Sequence, residues 1–285
     1  MKYKSYIQLL RPKHYLKNVL IFLPLVFGGA LFKFDYLSHV LLAFVAFSLT
    51  ASSVYIINDF KDRKLDALHP KKKFRPLASG TVGAKAAACL TALLLISVVL
   101  IQYFANLSAL SSALLAFYFI INVLYSYGLK DFPIIDVAIL SLGFVLRVFY
   151  GGTAVNIDVS KWLYLAILAF SFYLSLGKRR NEIRSNGSAT RKVNKFYSQE
   201  FLDKNMYVCL GLTITYYSLW AIDPAQKHKL MFWTIPAVIM VVMAYSLAIE
   251  DPRSDGDPVS VVLGHKLLLV LIAFCALLMT TLVYA

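Results

Sequence analysis

The chain has 285 residues, of which 59% are hydrophobic and only 15% charged. Soluble domains carry about a quarter charged residues, and a mean hydropathy of +0.67 leaves too little polar surface for a water-soluble globule. Disorder, collagen and coiled coil fall on the same ground, so an integral membrane protein is the remaining class. Lys and Arg number 29 against 15 Asp and Glu, a net charge of +14 whose distribution decides between nucleic acid and membrane as its cause.

In chain order, residues 1–18 come first, and within them YKSYIQLLRPKHYLK mixes apolar with basic positions. This reads as an interfacial helix lying on the membrane surface. A bilayer-crossing helix needs about 20 apolar residues. Nine stretches qualify, near 19–34, 38–57, 84–104, 107–125, 134–150, 161–177, 206–222, 230–249 and 265–284. The first has no clear small-residue cleavage site, so a removable signal is not expected. The expectation is an all-α, polytopic, single-domain protein over 1–285.

Nine spans put the termini on opposite sides. The side opposite the N-terminus holds Lys33, Lys161, Lys227 and Lys229, and Arg147 lies inside the fifth span. All other Lys and Arg fall on the N-terminal side, which the positive-inside rule makes cytoplasmic. The basic excess is thus a topology signal, and no nucleic-acid partner is needed. Two long polar connections, 58–83 and 178–205, lie on that side and are where chemistry is expected. Cys89, Cys209 and Cys275 sit apart in apolar runs and read as packing residues.

The run NDFKDRKLD, Asn58 to Asp66, ends the second span. On a continuing helix Asn58, Asp62 and Asp66 recur every four residues on one face. Asp59 stands about 100° from Asn58 and is expected to join only from the edge. Oxygen ligands of this kind suit Mg²⁺, which takes one or two carboxylates and completes its shell with water and substrate phosphates. A solvated helix end whose acids pair with Lys61, Arg63 and Lys64 is the plainer alternative, but charge at the end of an apolar helix is costly and tends to be functional. In HPKKKFRPLASG, His69 to Gly80, Pro70 and Pro76 prevent a regular helix. Arg75 is expected to meet phosphate oxygens, while Lys71 and Lys72 suit lipid headgroups.

The motif NDFKDRKLDALHPKKKFRP resembles the first Asp-rich motif of the UbiA superfamily of intramembrane prenyltransferases, N-D-x-x-D-x-x-x-D. The resemblance implies a UbiA-like bundle of nine helices with a cytoplasmic N-terminus. That family's second Asp-rich motif is expected after the sixth span, where this chain reads GKRRNEIRSNGSATRKVNK from Gly177 to Lys195. Lys178, Arg179 and Arg180 stand in place of acids. Such cations bind phosphate directly, although positive-inside decoration is the bland reading.

The segments RPKHYLKN (Arg11 to Asn18), YSYGLKDFPIID (Tyr125 to Asp136), LGKRRNE (Leu176 to Glu182) and DGDPVSVVLGHK (Asp255 to Lys266) look like the decaprenyl-phosphate phosphoribosyltransferase branch. That resemblance implies phosphoribosyl diphosphate as donor, a polyprenyl phosphate lipid as acceptor, and Mg²⁺ as cofactor. It also implies a bacterial plasma-membrane location with a cytoplasm-facing site and a role in cell-wall arabinan precursor synthesis. The metal set is then Asn58, Asp59, Asp62 and Asp66. Lys17, Arg75, Tyr127, Lys130, Lys178, Arg179 and Arg180 are the phosphate-binding candidates, each open as to which phosphate. Prenyl transfer to an aromatic acceptor and membrane transport are the alternatives. The oligomeric state is open, a homo-oligomer included. Arg147 either snorkels or pairs inside the bundle. The turn Asp255–Pro258 is a cap or a ligand. The many Phe and Tyr residues serve an isoprenoid groove or, more simply, interface belts.

Overall fold

A computed structural model describes residues 2–68, 72–186, 192–224, 228–252 and 254–284. His69, Pro70 and Lys71, expected near the site, lie outside the described residues. Among those described every regular element is helical: α1 Lys2–Leu10, α2 Leu23–Phe27, α3 Phe34–Leu68, α4 Ala84–Phe104, α5 Ala109–Tyr127, α6 Ile135–Ala154, α7 Lys161–Asn186, α8 Gln199–Ile222, α9 Ile235–Glu250, α10 Pro258–Gly264 and α11 Lys266–Tyr284, with short 3₁₀ segments between.

Among the described residues six helices are long and apolar enough to cross a bilayer: Phe34–Leu68, Ala84–Phe104, Ala109–Tyr127, Ile135–Ala154, Lys229–Glu250 and Lys266–Tyr284. The expected first span is not one regular helix. It is a 3₁₀ segment, Pro12–Phe22, followed by the five residues of α2, with Pro24 near the start of α2 and Gly28–Gly29 beyond its end. α7 and α8 fall outside the six, α7 because its last third is Lys- and Arg-rich.

The chain divides into two compact units, Met1–Leu25 with Ala30–Lys130 and Leu146–Ile157, and Val26–Gly29 with Asp131–Val145 and Asp158–Ala285. In the first, α3 is central. Its 35 residues span about 52 Å at 1.5 Å per residue, well beyond the ~30 Å hydrocarbon core. It therefore carries the run Asn58 to Asp66 on past its apolar length as continuous helix. Small buried residues (Ala43, Ala46, Ser48, Ala51, Ser52 and Ser53) let neighbours approach closely, as membrane helices require.

Short α1 is docked rather than loose. Leu9 is fully buried against Ile56, Leu77 and Val82, with Tyr6 and Leu10 beside it. A Leu removed from water contributes about 1.5–3 kcal/mol. Arg147, undecided from sequence, pairs inward. It is 4% exposed, donates from Nε to Asn18 Oδ1 at 2.8 Å, and lies over the Phe47 and Tyr118 rings. One turn on, a Cβ at Gly151 would come within 2.0 Å of the Ile21 carbonyl oxygen, so the 3₁₀ segment rests directly on α6.

In the second unit α7 and α8 pack along their lengths, around Tyr173, Leu176, Leu202, Met206 and Ile249. α8 starts at Gln199, capped by Ser198, whose hydroxyl accepts from the Phe201 N–H at 3.0 Å. α7 runs on to Asn186. The expected loop 178–205 is therefore largely helix.

Candidate active site

The end of α3 gathers three carboxylates. At 100° per residue, Asp59, Asp62 and Asp66 fall within about 60° of arc, tighter than the Asn58, Asp62, Asp66 set. Asp59, expected to join only from the edge, stands at one end of this arc but only about 20° from Asp66, and is 3% exposed. The helical spacing explains the correction, since Asp59 and Asp66 are seven residues, two turns, apart.

Each carboxylate is met by a cation from another segment of the same unit. α1 ends at Leu10, and Arg11 takes a left-handed conformation (φ 52°) before Pro12 opens the 3₁₀ segment. That turn aims Arg11 Nη2 at Asp59 Oδ1, 2.5 Å away, with the guanidinium 4.9 Å from the Tyr55 ring centre. A tight turn closed by Arg75 N–H on the Lys72 carbonyl brings in Arg75. Its Nη1 donates to Asp59 Oδ1 at 3.0 Å and to Asp66 Oδ2 at 2.8 Å. One nitrogen thus occupies the point between two carboxylates. α5 stops at Gly128, whose φ of 155° suits glycine. The chain then turns through Leu129–Asp131 and Lys130 Nζ donates to both oxygens of Asp62, at 2.7 and 2.9 Å.

Three acids and three cations therefore balance. The acids are 3%, 22% and 7% exposed in chain order; the cations keep 19% (Arg11), 27% (Arg75) and 19% (Lys130) of their side-chain surface. Asn58 is half-buried on the adjoining face and Lys17 half-buried in the 3₁₀ segment. Tyr127 is exposed, with Lys61 Nζ 4.8 Å from its ring centre.

In the second unit the expected cation cluster does not form. Lys178, Arg179 and Arg180 lie on continuous helix, so successive side chains diverge by about 100°. Lys178 Nζ is 3.7 Å from Asp257. Arg179 is fully buried, its Nε 2.5 Å from Asp136 and its Nη1 on Glu182. Arg180 meets Asp203 and Glu250. Arg179 and Arg180, expected to bind phosphate, are thus taken up by acids from four sequence regions. Tyr197 OH donates to Asp136 Oδ1 and accepts from the Ile134 N–H, both at 2.6 Å. Its burial and the Asp136 carboxylate raise its pKa above the usual value of 10.0. The turn Asp255–Pro258 is a cap: Asp257 accepts from the Val259 N–H at 3.1 Å at the start of α10, and Gly256 (φ 71°) packs against Lys178 and Asn181.

A family model described as the UbiA prenyltransferase family matches residues 21–258. The chain belongs to the UbiA prenyltransferase family. A curated relative in Mycolicibacterium smegmatis, named decaprenyl-phosphate phosphoribosyltransferase, is 31% identical, covering 93% of this chain and 88% of its own length. One of the same name in Corynebacterium glutamicum is also 31% identical, covering 93% of this chain and 82% of its own length. Among solved structures, a UbiA homolog from Archaeoglobus fulgidus bound to GPP and Mg²⁺ superposes with a TM-score of 0.75 at 21% identity over 98% of each chain, a likeness of fold. The expected resemblance and the helical fold are thereby borne out.

In this UbiA-family protein the donor set fits a divalent ion of the Mg²⁺ type. Two hard carboxylate oxygens already converge on one cationic nitrogen, and Mg²⁺ needs only one or two carboxylates from the protein. Among the described residues no three acids or imidazoles are arranged to hold an ion by themselves, so water and substrate oxygens would complete the shell. Sequence reasoning missed Arg11. Its signal was present in Arg11–Pro12 directly after an amphipathic helix, a place where the chain must turn.

Proposed function

We propose that this protein transfers 5-phosphoribose from phosphoribosyl diphosphate to a polyprenyl phosphate of decaprenyl type, releasing diphosphate. The reading is supported most by one observation: the chain aligns over 93% of its length with relatives named decaprenyl-phosphate phosphoribosyltransferase. Its site has the parts that a diphosphate leaving group requires. Asn58, Asp59, Asp62 and Asp66 would hold Mg²⁺. The ion would supply charge stabilisation on the departing diphosphate.

In the reaction the bond between ribose C1 and the diphosphate oxygen breaks, and a bond forms between C1 and an acceptor phosphate oxygen. That oxygen is already anionic at neutral pH, so no general base is needed. Arg11, Arg75 and Lys130 exchange their carboxylate partners for phosphate oxygens, Arg with its bidentate fork and Lys as a point charge. Lys17, Tyr127 and Lys178 remain candidates for the ribose 5-phosphate and the lipid phosphate. Arg179 stays with Asp136 and Glu182, and Arg180 with Asp203 and Glu250, so neither exchanges its acids for the donor. Direct displacement inverts the anomeric centre; a product that keeps the donor's α configuration would contradict it.

The remaining features of the reading are nine membrane passages, the N-terminus and site on the cytoplasmic face of a bacterial inner membrane, and a product used for cell-wall arabinan precursors. The Lys and Arg asymmetry supports the orientation. The test is an assay of purified protein with labelled phosphoribosyl diphosphate, polyprenyl phosphate and Mg²⁺. A lipid heavier than the acceptor by one phosphoribosyl group is expected. No such lipid, with prenylation of an aromatic acceptor from a prenyl diphosphate instead, overturns the reading.

A further inference from the structure

The second unit holds a groove that the transfer reaction does not use. It is a cavity of about 780 Å³ bounded by α7, α8, α9 and α11, with Met206, Met240, Met243, Leu247, Leu267 and Leu271 on its apolar walls. Met243, Leu247 and Leu267 are 63%, 71% and 61% exposed, so these walls face whatever surrounds the protein. Its polar end is formed by Arg180, Asp203 and Glu250. A second hollow, of about 590 Å³, adjoins this end and shares Leu247 and Glu250; Asp251, Pro252 and His265 complete it.

The polarity runs along all four helices in the same sense. α7 and α9 end near the charged residues, while α8 and α11 begin near them. From Glu250 back to Met240 is ten residues, about 15 Å of helix. That is half of a ~30 Å hydrocarbon core, the depth of one leaflet's acyl chain.

The charged end is chemically incomplete. Arg180 is 6% exposed and its Nη1 has no hydrogen-bond partner among the described residues, though it is a buried donor that is costly to leave unmade. Around it stand Asp203 and Glu250, with side chains 29% and 44% exposed, and Arg184, 3.7 Å from Glu250; with Asp251 beside them, three acids face two arginines. A wholly anionic headgroup would satisfy Nη1 but meet these carboxylates and Asp251. A headgroup carrying both a phosphate and a primary ammonium satisfies both signs.

We propose that this groove binds one zwitterionic aminophospholipid, with its phosphate on Arg180, its ammonium on Glu250, and an acyl chain along α9 and α11. The site is independent of the proposed transfer reaction and of its acceptor lipid. The test places the full chain in nanodiscs of equal phosphatidylethanolamine, phosphatidylcholine and phosphatidylglycerol, and counts lipids that survive release by native mass spectrometry. One retained phosphatidylethanolamine is expected, favoured about tenfold over phosphatidylglycerol, since a hydrogen bond to a charged group is worth at least that factor. Met243→Trp fills the apolar wall and should abolish retention. Glu250→Gln should erase the preference over phosphatidylglycerol. Arg180→Gln should also lose the lipid; if it fails to fold, the other two variants decide. Equal retention of the three lipids, unchanged retention in Met243→Trp, or stoichiometric displacement by added polyprenyl phosphate would overturn the proposal.

Discussion

At the end of α3, Arg11, Arg75 and Lys130 meet three carboxylates and keep 19–27% of their side chains exposed. At the end of α7, Arg179 has no exposed side-chain surface and Arg180 keeps 7%. Both regions are charge runs at the end of an apolar helix, and in sequence they look equally suited to a phosphate. Their burial separates them. A part-exposed cation can swing from its carboxylate to a substrate oxygen, and a metal ion on Asp59 and Asp66, 3% and 7% exposed, would keep those acids compensated when it does. A buried one leaves behind an uncompensated carboxylate, at a cost of several kcal/mol. Ligand exchange therefore belongs to the first region and fixed positioning to the second.

The largest effect expected from this contrast is on folding. Arg179→Gln strands Asp136 and Glu182 without their cation, and should destabilise the protein by about 3–5 kcal/mol. Thermal melting of the purified variant in detergent checks this. A melting curve matching the parent's, with impaired donor binding, would make Arg179 a ligand and dissolve the contrast. Next in size is Asp66→Asn, which keeps shape but removes one of two charges converging on Arg75. Phosphoribosyl transfer should fall by about a hundredfold, the scale of losing one charge-stabilising group at a reacting centre, with melting little changed. Loss of fold with activity retained per folded molecule would reverse the assignment.

Arg11→Lys sharpens the comparison at smaller scale. The Lys keeps the charge but not the fork, so kcat/KM for the donor should fall about tenfold, a loss of about 1.4 kcal/mol. Steady-state kinetics with varied donor is the check. An unchanged value would leave Arg11 as a partner of Asp59 alone.

How much of this was legible in the sequence depends on how far apart the partners lie. The acidic stripe was readable because its members sit on one helix within nine residues, although anchoring the count on Asn58 misplaced Asp59. Six of the nine expected spans were readable from apolar length. Arg11 was not, because its partner is 48 residues away and only the turn at Arg11–Pro12 brings them together. The acid partners of the α7 arginines were hidden for the same reason. Asp136, 43 residues upstream of Arg179, and Glu250, 70 residues downstream of Arg180, are invisible to local pattern. Arg147 meets Asn18 across 129 residues, so no reading of the sixth helix by itself could choose between snorkelling and pairing.

The smallest effect concerns Tyr197, which lies outside the membrane-spanning helices and joins Asp136 to the Ile134 backbone. Its pKa is raised, first by burial and then by the carboxylate it donates to. The folded state thus holds this proton more tightly than the unfolded chain, in which Tyr titrates near 10. The stabilisation is complete below about pH 10 and declines as pH rises from there toward the folded-state value. Tyr197→Phe removes both the bond and the titration. Its melting temperature should lie below the parent's at pH 8, and the gap should narrow above pH 10, the stability difference shrinking by about 1.4 kcal/mol per pH unit at most. A gap constant from pH 8 to 11 would mean that the hydroxyl is not buried against Asp136. The fixed character assigned to the Arg179 region would then lose its second anchor, while the exchangeable cations at the end of α3 would be untouched.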